Sequence, residues 1–177
     1  MELNKVRSKF TTKDMVQTAL LTALVFVATF FIHIQLPIMA SGGLVHLGNV
    51  MLFAIAIVFG KQKGAISGAV GMALFDLSSG WAAWAPFTFI IRGIMGYMIG
   101  SIAWSGKREG NSFKINLIAI ILSAIWMIAG YYITEVILYG NWIAPMASIT
   151  GNITQLVIGA VIGLPLAKVL KRYANYL

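Results

Sequence analysis

The stretch GMALFDLSSGWAAWAPFTFIIRGIMGYMIG, residues 71–100, contains the most informative pattern of this chain. It consists of two apolar segments joined by a short turn rich in tryptophan, and each segment contains one charged residue, Asp76 or Arg92. A charge inside a bilayer costs at least about 2.5–3.5 kcal/mol on lenient insertion scales. Two opposite charges on either side of one turn therefore predict a polar site between two membrane helices.

The composition of the whole chain is typical of an integral membrane protein. Of its 177 residues, 59% are hydrophobic and 10% are charged, whereas about a quarter of the residues of a soluble domain are charged. Because a helix needs about 20 residues to cross a bilayer, the length predicts one compact domain, residues 1–177, with six transmembrane helices. The chain has no cysteine, which excludes disulfides, thiolate metal sites and thiol nucleophiles.

The apolar segments predict an all-α membrane protein, a bundle of six spans. Thr11 or Thr12 is expected to cap the first helix, with Asp14 in its first turn. That segment follows a basic arm but is too long for the apolar region of a signal peptide, so we expect it to be retained. The predicted spans are 14–34, 45–60, 64–79, 87–104, 113–138 and 147–170.

The basic residues predict the orientation of the bundle. All of the 13 lysines and arginines except Arg92 fall in the N-terminal arm, in two alternate loops or in the tail. The positive-inside rule makes that side cytoplasmic and places both termini there. We therefore expect a multi-pass protein of the cell membrane, whose net charge of +8 reflects its contact with the lipid bilayer rather than with nucleic acid.

In this orientation the polar and aromatic residues of the spans and outer loops collect near the outer surface, and the inner halves of the helices have almost nothing comparable. Aromatic side chains with a few polar groups are typical of a pocket for a small polar solute that carries a ring. The predicted substrate-binding residues are His46, Asn49, Asp76, Trp81, Trp84, Arg92, Glu135, Asn141, Trp142, Asn152 and Gln155.

Structural explanations compete for several of these residues. Asp76 and Arg92 can form an ion pair that braces two helices, and the tryptophans also suit an interfacial belt. Glu135 can extend to the lipid headgroups. His46 can be a packed, hydrogen-bonded residue instead of a ligand contact.

The sequence lacks the common catalytic and energising motifs. It contains no P-loop, no HExxH metal motif and no GxSxG elbow, so we expect no catalytic residues, no metal site and no cofactor. No polar stripe reaches the cytoplasmic side, as a proton-coupled carrier would need. The chain is therefore expected to bind a solute from outside without energising its transport.

The first helix carries two alanines four residues apart, Ala19 and Ala23. Small residues at this spacing allow another helix to approach closely in lipid. The spacing alone fits a neighbour in the same bundle as well as a partner protein.

Together these motifs resemble the substrate-binding S components of energy-coupling factor (ECF) vitamin transporters. The matching segments are GLVHLG at 43–48, GMALFDL at 71–77 and APFTFIIRG at 85–93. They are similar to the subgroup of hydroxymethylpyrimidine/pyridoxine and riboflavin-related S components, whose pattern reads GxxHLGD, ADLLSG and APFTxIIKG. Asn49 stands where that pattern has Asp, and Arg92 stands where it has Lys.

The resemblance implies capture of a vitamin at the outer face of a prokaryotic cytoplasmic membrane, with the loop Gln35–Leu44 closing over it. The S component then docks through its first helix on a transmembrane coupling protein, the T component, and two cytoplasmic ATPases drive import. Ala19 and Ala23 thereby become expected partner contacts. The expected ligand is hydroxymethylpyrimidine or pyridoxine, with riboflavin and pantothenate as alternatives.

Two other functions remain open at this point. A stand-alone facilitator or secondary carrier for a small polar solute would transport without any ATPase. An intramembrane enzyme would use Asp76, Glu135 or His46, although no motif supports it.

Overall fold

The computed structural model describes residues 10–35 and 44–173. The described residues form a helical bundle, and each helix begins and ends within three residues of its predicted span. The helices are α1 (Thr12–Phe31), α2 (Gly48–Phe59), α3 (Lys61–Ser78), α4 (Ala85–Ala103), α5 (Phe113–Tyr139) and α6 (Met146–Tyr173). A single 3₁₀ turn at Ser105–Lys107 follows α4.

Four of the helices, α1, α4, α5 and α6, are long and apolar enough to cross a membrane. The second helix has only 12 residues, and every residue from Val50 to Val58 except Met51 is buried. A helix that is apolar on all sides belongs in the interior, and α1, α3, α4 and α6 pack against α2. The number of spans and the orientation stay predictions.

The first helix has the predicted N-terminal cap. The Thr11 hydroxyl accepts a hydrogen bond from the Asp14 backbone N–H, and the Asp14 carboxylate accepts one from the Thr11 backbone N–H at 3.1 Å. The same carboxylate forms an ion pair with Lys63 at 2.8 Å. This pair fastens the beginning of α1 to the beginning of α3.

His46 was predicted to lie in the first turns of the second helix, and this is wrong. It belongs to the short strand β2 (Leu44–His46), which pairs antiparallel with β1 (His33–Gln35), so that His33 lies opposite His46. The strand pairing satisfies backbone groups that a helix would otherwise have to satisfy. Most of the predicted closing loop, residues 36–43, lies outside the described residues.

Glycines allow α3 and α4 to pack in close contact. A Cβ atom on Gly96 would overlap the backbone of Gly64, and one on Gly100 would overlap the backbone of Lys61. On another side of α3, a Cβ atom on Gly71 would lie 2.9 Å from the Val25 side chain of α1. The close packing of α3 against α4 carries Asp76 and Arg92 to the same end of the bundle.

Candidate functional site

The end of α3 places Trp81 next to Asp76. The backbone N–H of Trp81 donates to the carbonyl of Asp76 at 2.9 Å, and Gly80 between them has a φ of +85°. This is the Schellman arrangement, in which a residue in the left-handed region turns the chain back over the last turn of a helix. Glycine adopts that conformation without a steric penalty, so the turn fixes Trp81 beside the last turn of α3, which carries Asp76.

The turn continues into α4 with a second tryptophan. The Trp84 N–H donates to the Trp81 carbonyl at 2.8 Å, and their rings lie 6.3 Å apart in an edge-to-face arrangement. The Trp84 ring also lies 6.2 Å from the ring of Tyr131 on α5. These contacts give one side of the site an aromatic wall.

Arg92 is 2% exposed and is held by polar atoms of α2 and α5. Its Nε donates to the Tyr131 hydroxyl at 3.0 Å, and its Nη1 donates to Asn49 Oδ1. The guanidinium carbon also lies 5.1 Å from the centre of the Tyr131 ring, within the range of a cation–π interaction. A buried cation needs such partners, because an unpaired charge away from water is strongly unfavourable.

The structure does not contain the ion pair that the sequence suggested between Asp76 and Arg92. Among the described residues, the ion pair within 4.0 Å joins Lys63 and Asp14, and no such pair joins Asp76 to Arg92. The guanidinium is instead directed at Asn49 and Tyr131. The Asp76 carboxyl group, 7% exposed, lines the same cavity as Arg92 without an ion pair between them.

Glu135 does not extend to the membrane surface, which overturns the alternative that it reaches the lipid headgroups. It is 3% exposed, and its carboxylate accepts a hydrogen bond from the Ser148 hydroxyl of α6 at 2.7 Å. A hydroxyl partner on the neighbouring helix gives the buried carboxylate part of the hydrogen bonding that water would otherwise supply. The bond also joins α5 to α6 beside the cavity.

His46, in β2 outside the helices, contributes a neutral imidazole. Its burial, and secondarily the positive charge of Arg92, lower the pKa of the ring well below its ordinary value. Its Nδ1 accepts a hydrogen bond from the Gly48 N–H at 3.1 Å. In the neutral ring the proton then resides on Nε2, which makes this nitrogen a donor.

These elements enclose a cavity of about 570 Å³, including the part open to solvent, between β2, the end of α3 and helices α4, α5 and α6. Most of the residues predicted from the sequence contribute to its wall. The lining consists of His46, Asp76, Trp81, Trp84, Thr88, Arg92, Tyr131, Glu135, Ser148, Gly151, Asn152 and Gln155.

Three predicted residues do not line the cavity. Asn49 lies behind Arg92 and holds its guanidinium group. The Asn141 side chain caps its own turn by accepting a hydrogen bond from the Ile143 N–H at 2.7 Å. Trp142 is 67% exposed and packs on Tyr132.

Four lining residues were missed from the sequence, namely Thr88, Tyr131, Ser148 and Gly151. Helical spacing contains a signal that finds all four, because each lies four residues before a predicted residue on the same helix face. The pairs are Thr88 and Arg92, Tyr131 and Glu135, Ser148 and Asn152, and Gly151 and Gln155. In the described part of the chain, no group of three or more His, Cys, Asp and Glu residues could hold a metal ion.

Comparison with known proteins gives consistent results. The family model described as ECF-type riboflavin transporter, S component, matches residues 9–172. An uncharacterised protein of Pyrococcus woesei is 36% identical over 139 residues, which cover 78% of this chain and 90% of that protein. The thiamine precursor transporter HmpT of Lactococcus lactis subsp. cremoris (strain MG1363) is 28% identical over 160 residues, 90% of this chain and 89% of HmpT.

A solved structure described as the S component of a bacterial ECF transporter has the same fold. It superposes with a TM-score of 0.66 at 20% sequence identity and covers 93% of this chain and 96% of that one. The family resemblance drawn from the sequence motifs is thereby confirmed.

Proposed function

This chain belongs to the family of S components of ECF-type riboflavin transporters, and from that premise we propose that it captures hydroxymethylpyrimidine or pyridoxine at the outer face of the cell membrane. S components of this family are substrate-binding subunits for vitamin uptake and are not enzymes. They work with a T component and ATPases. For this chain we propose import driven by two cytoplasmic ATPases through such a T component.

The observation that carries the proposal is the composition of the cavity wall. Trp81, Trp84 and Tyr131 line it beside polar groups of β2 and of the helices α3 to α6. Aromatic side chains bind the face of a planar ring, while a few polar groups fix its orientation. We therefore propose the cavity as the vitamin site, with the predicted residues that line it as the contacts.

The charges of the wall favour a neutral ligand. Two carboxylic acids, Asp76 and Glu135, and one guanidinium, Arg92, line the cavity. Because the carboxyl groups outnumber the cation, an anion such as pantothenate would meet a repulsive site. The similarity to a thiamine precursor transporter adds support for a pyrimidine, and riboflavin remains the alternative substrate.

The exposed side of α1 supports the proposed contact with a T component. The buried residues of this helix are Thr18, Leu21, Val25 and Thr29, whereas Ala19 and Ala23 are exposed. The two alanines therefore do not serve packing within the described bundle. Small residues on an open face allow a partner helix to approach closely.

The decisive experiment identifies the bound molecule and then measures its transport. Mass spectrometry of the small molecule released from gently purified protein should find hydroxymethylpyrimidine or pyridoxine. In liposomes, the protein should bind this vitamin but import it only when a T component, the two ATPases and ATP are present. Import by the purified chain alone would support a stand-alone facilitator and contradict the proposal.

A further inference from the structure

Two buried polar atoms of the cavity wall lack hydrogen-bond partners. Among residues 10–35 and 44–173, no group bonds to Asp76 Oδ2 or to Gln155 Nε2, although these residues are 7% and 2% exposed. Most buried polar atoms in proteins are paired, because leaving one unpaired costs the full penalty of removing it from water. A pair of such atoms on one cavity wall indicates that something binding there completes them.

Neighbouring polar groups of the wall are already engaged with other residues. Arg92 donates to Asn49 and Tyr131, and the Tyr131 hydroxyl donates to Thr88 at 3.2 Å. Glu135 accepts from Ser148. Among the described residues that line the cavity, Asp76 Oδ2 and Gln155 Nε2 are the fully buried polar atoms that a ligand would have to satisfy.

These two groups differ in what they can recognise. An ionised carboxylate only accepts hydrogen bonds, so Asp76 Oδ2 requires an N–H or O–H on the ligand. The Gln155 amide has one end that donates and one that accepts, and its two ends can exchange places. Asp76 can therefore discriminate between ligands by their donor pattern, whereas Gln155 adapts to either pattern.

We propose that Asp76 determines specificity by selecting a planar nitrogen heterocycle with an amino group directed at its carboxylate. The proposal rests on the proposed function, because it names the chemistry that the vitamin site selects. An aminopyrimidine offers an amine that donates and a ring nitrogen that accepts. Its oxo analogue, in which a ring carbonyl replaces the amine, reverses this pattern and would direct an oxygen at the carboxylate.

The test compares these two ligands on the purified full chain in detergent. Equilibrium binding of hydroxymethylpyrimidine, which carries the amine, should be about tenfold tighter or more than that of its oxo analogue. In Asp76→Asn the ratio should fall close to one, because the new amide can turn its N–H towards the carbonyl. Gln155→Met should weaken both ligands without changing the ratio.

The matched control is Glu109→Gln, which neutralises an exposed carboxylate far from the cavity lining and should leave both affinities unchanged. Equal affinity of the wild-type protein for the two ligands would overturn the inference without any need for a variant. An unchanged ratio in folded Asp76→Asn would also overturn it. If neither pyrimidine binds but another vitamin is retained and imported, the inference fails while vitamin capture stands.

Discussion

Arg92 of α4 donates a hydrogen bond from Nη1 to Oδ1 of Asn49 on α2. At both positions the chain departs from the pattern of the S components that it resembles, which has Lys in place of Arg92 and Asp in place of Asn49. Because the two side chains are in contact, we interpret the two differences as the replacement of one interacting pair by another. A carboxylate and an ammonium are replaced by a neutral amide and a guanidinium, which keeps its charge but makes several directed hydrogen bonds.

The Arg92–Asn49 contact predicts that the two positions are coupled. Arg92→Lys removes the Nε bond to Tyr131 and should lower the Tm and the ligand affinity. Asn49→Asp in the same chain should recover part of both losses, because an ammonium pairs better with a carboxylate than with an amide. A double-mutant cycle on the free energy of unfolding should give a coupling of about 0.5–3 kcal/mol. Additive effects of the two substitutions would show that the contact carries no energy.

The stability of the ligand-free protein should respond differently to the two charges of the cavity. Arg92→Gln leaves Tyr131 or Asn49 without its partner and should cost about 1–3 kcal/mol. Asp76→Asn breaks no ion pair and should change the free energy of unfolding by less than about 1 kcal/mol. Thermal and denaturant unfolding in detergent measure both values. A loss of about 3–5 kcal/mol for Asp76→Asn, the cost of breaking a buried ion pair, would contradict the observed geometry.

The aromatic wall should bind the ring of the vitamin. Trp84→Leu removes the ring that contacts both Trp81 and Tyr131, and we expect a loss of at least about 0.5–1.5 kcal/mol in binding free energy. Trp142→Leu is the control, because Trp142 lies outside the cavity lining. Titration of the vitamin against each variant measures the difference. Equal losses for the two tryptophans would place the ligand elsewhere.

The exposed alanines of α1 should matter for transport and not for capture. Ala19→Leu with Ala23→Leu should leave the vitamin affinity unchanged but abolish ATP-driven uptake, because the larger side chains keep a partner helix at a distance. Ala129→Leu, on an exposed face of α5, is the matched control and should transport normally. Uptake at the wild-type rate by the double variant would contradict the proposed contact.

The helices were predictable from the sequence to within three residues because apolar runs and Gly/Pro-containing turns determine where a membrane helix begins and ends. The strand that contains His46 was not predictable, because three residues acquire this structure only by pairing with another segment, here residues 33–35. The position of each polar residue along its helix could also be predicted, and most of the residues predicted to lie at one level line the same cavity.

The direction in which each side chain points around its helix axis could not be predicted in this way. Asp76 and Arg92 share a level, yet the packing of α4 against α2 and α5 turns the guanidinium towards Asn49 and Tyr131. Tyr131 was overlooked because a single tyrosine in an apolar helix resembles an ordinary core residue. Its spacing of four residues from Glu135 was the available signal.

The hydrogen bonds of Arg92 have a mechanical consequence. One guanidinium group joins α4 to both α2 and α5, and the Trp126 indole N–H reinforces the junction by donating to the Ile91 carbonyl at 3.1 Å. Sliding any of the three helices against another breaks these buried hydrogen bonds. A rotation of the three helices as one block breaks none of them. A large movement of this part of the molecule therefore breaks the fewest hydrogen bonds when α2, α4 and α5 move together as one rigid body.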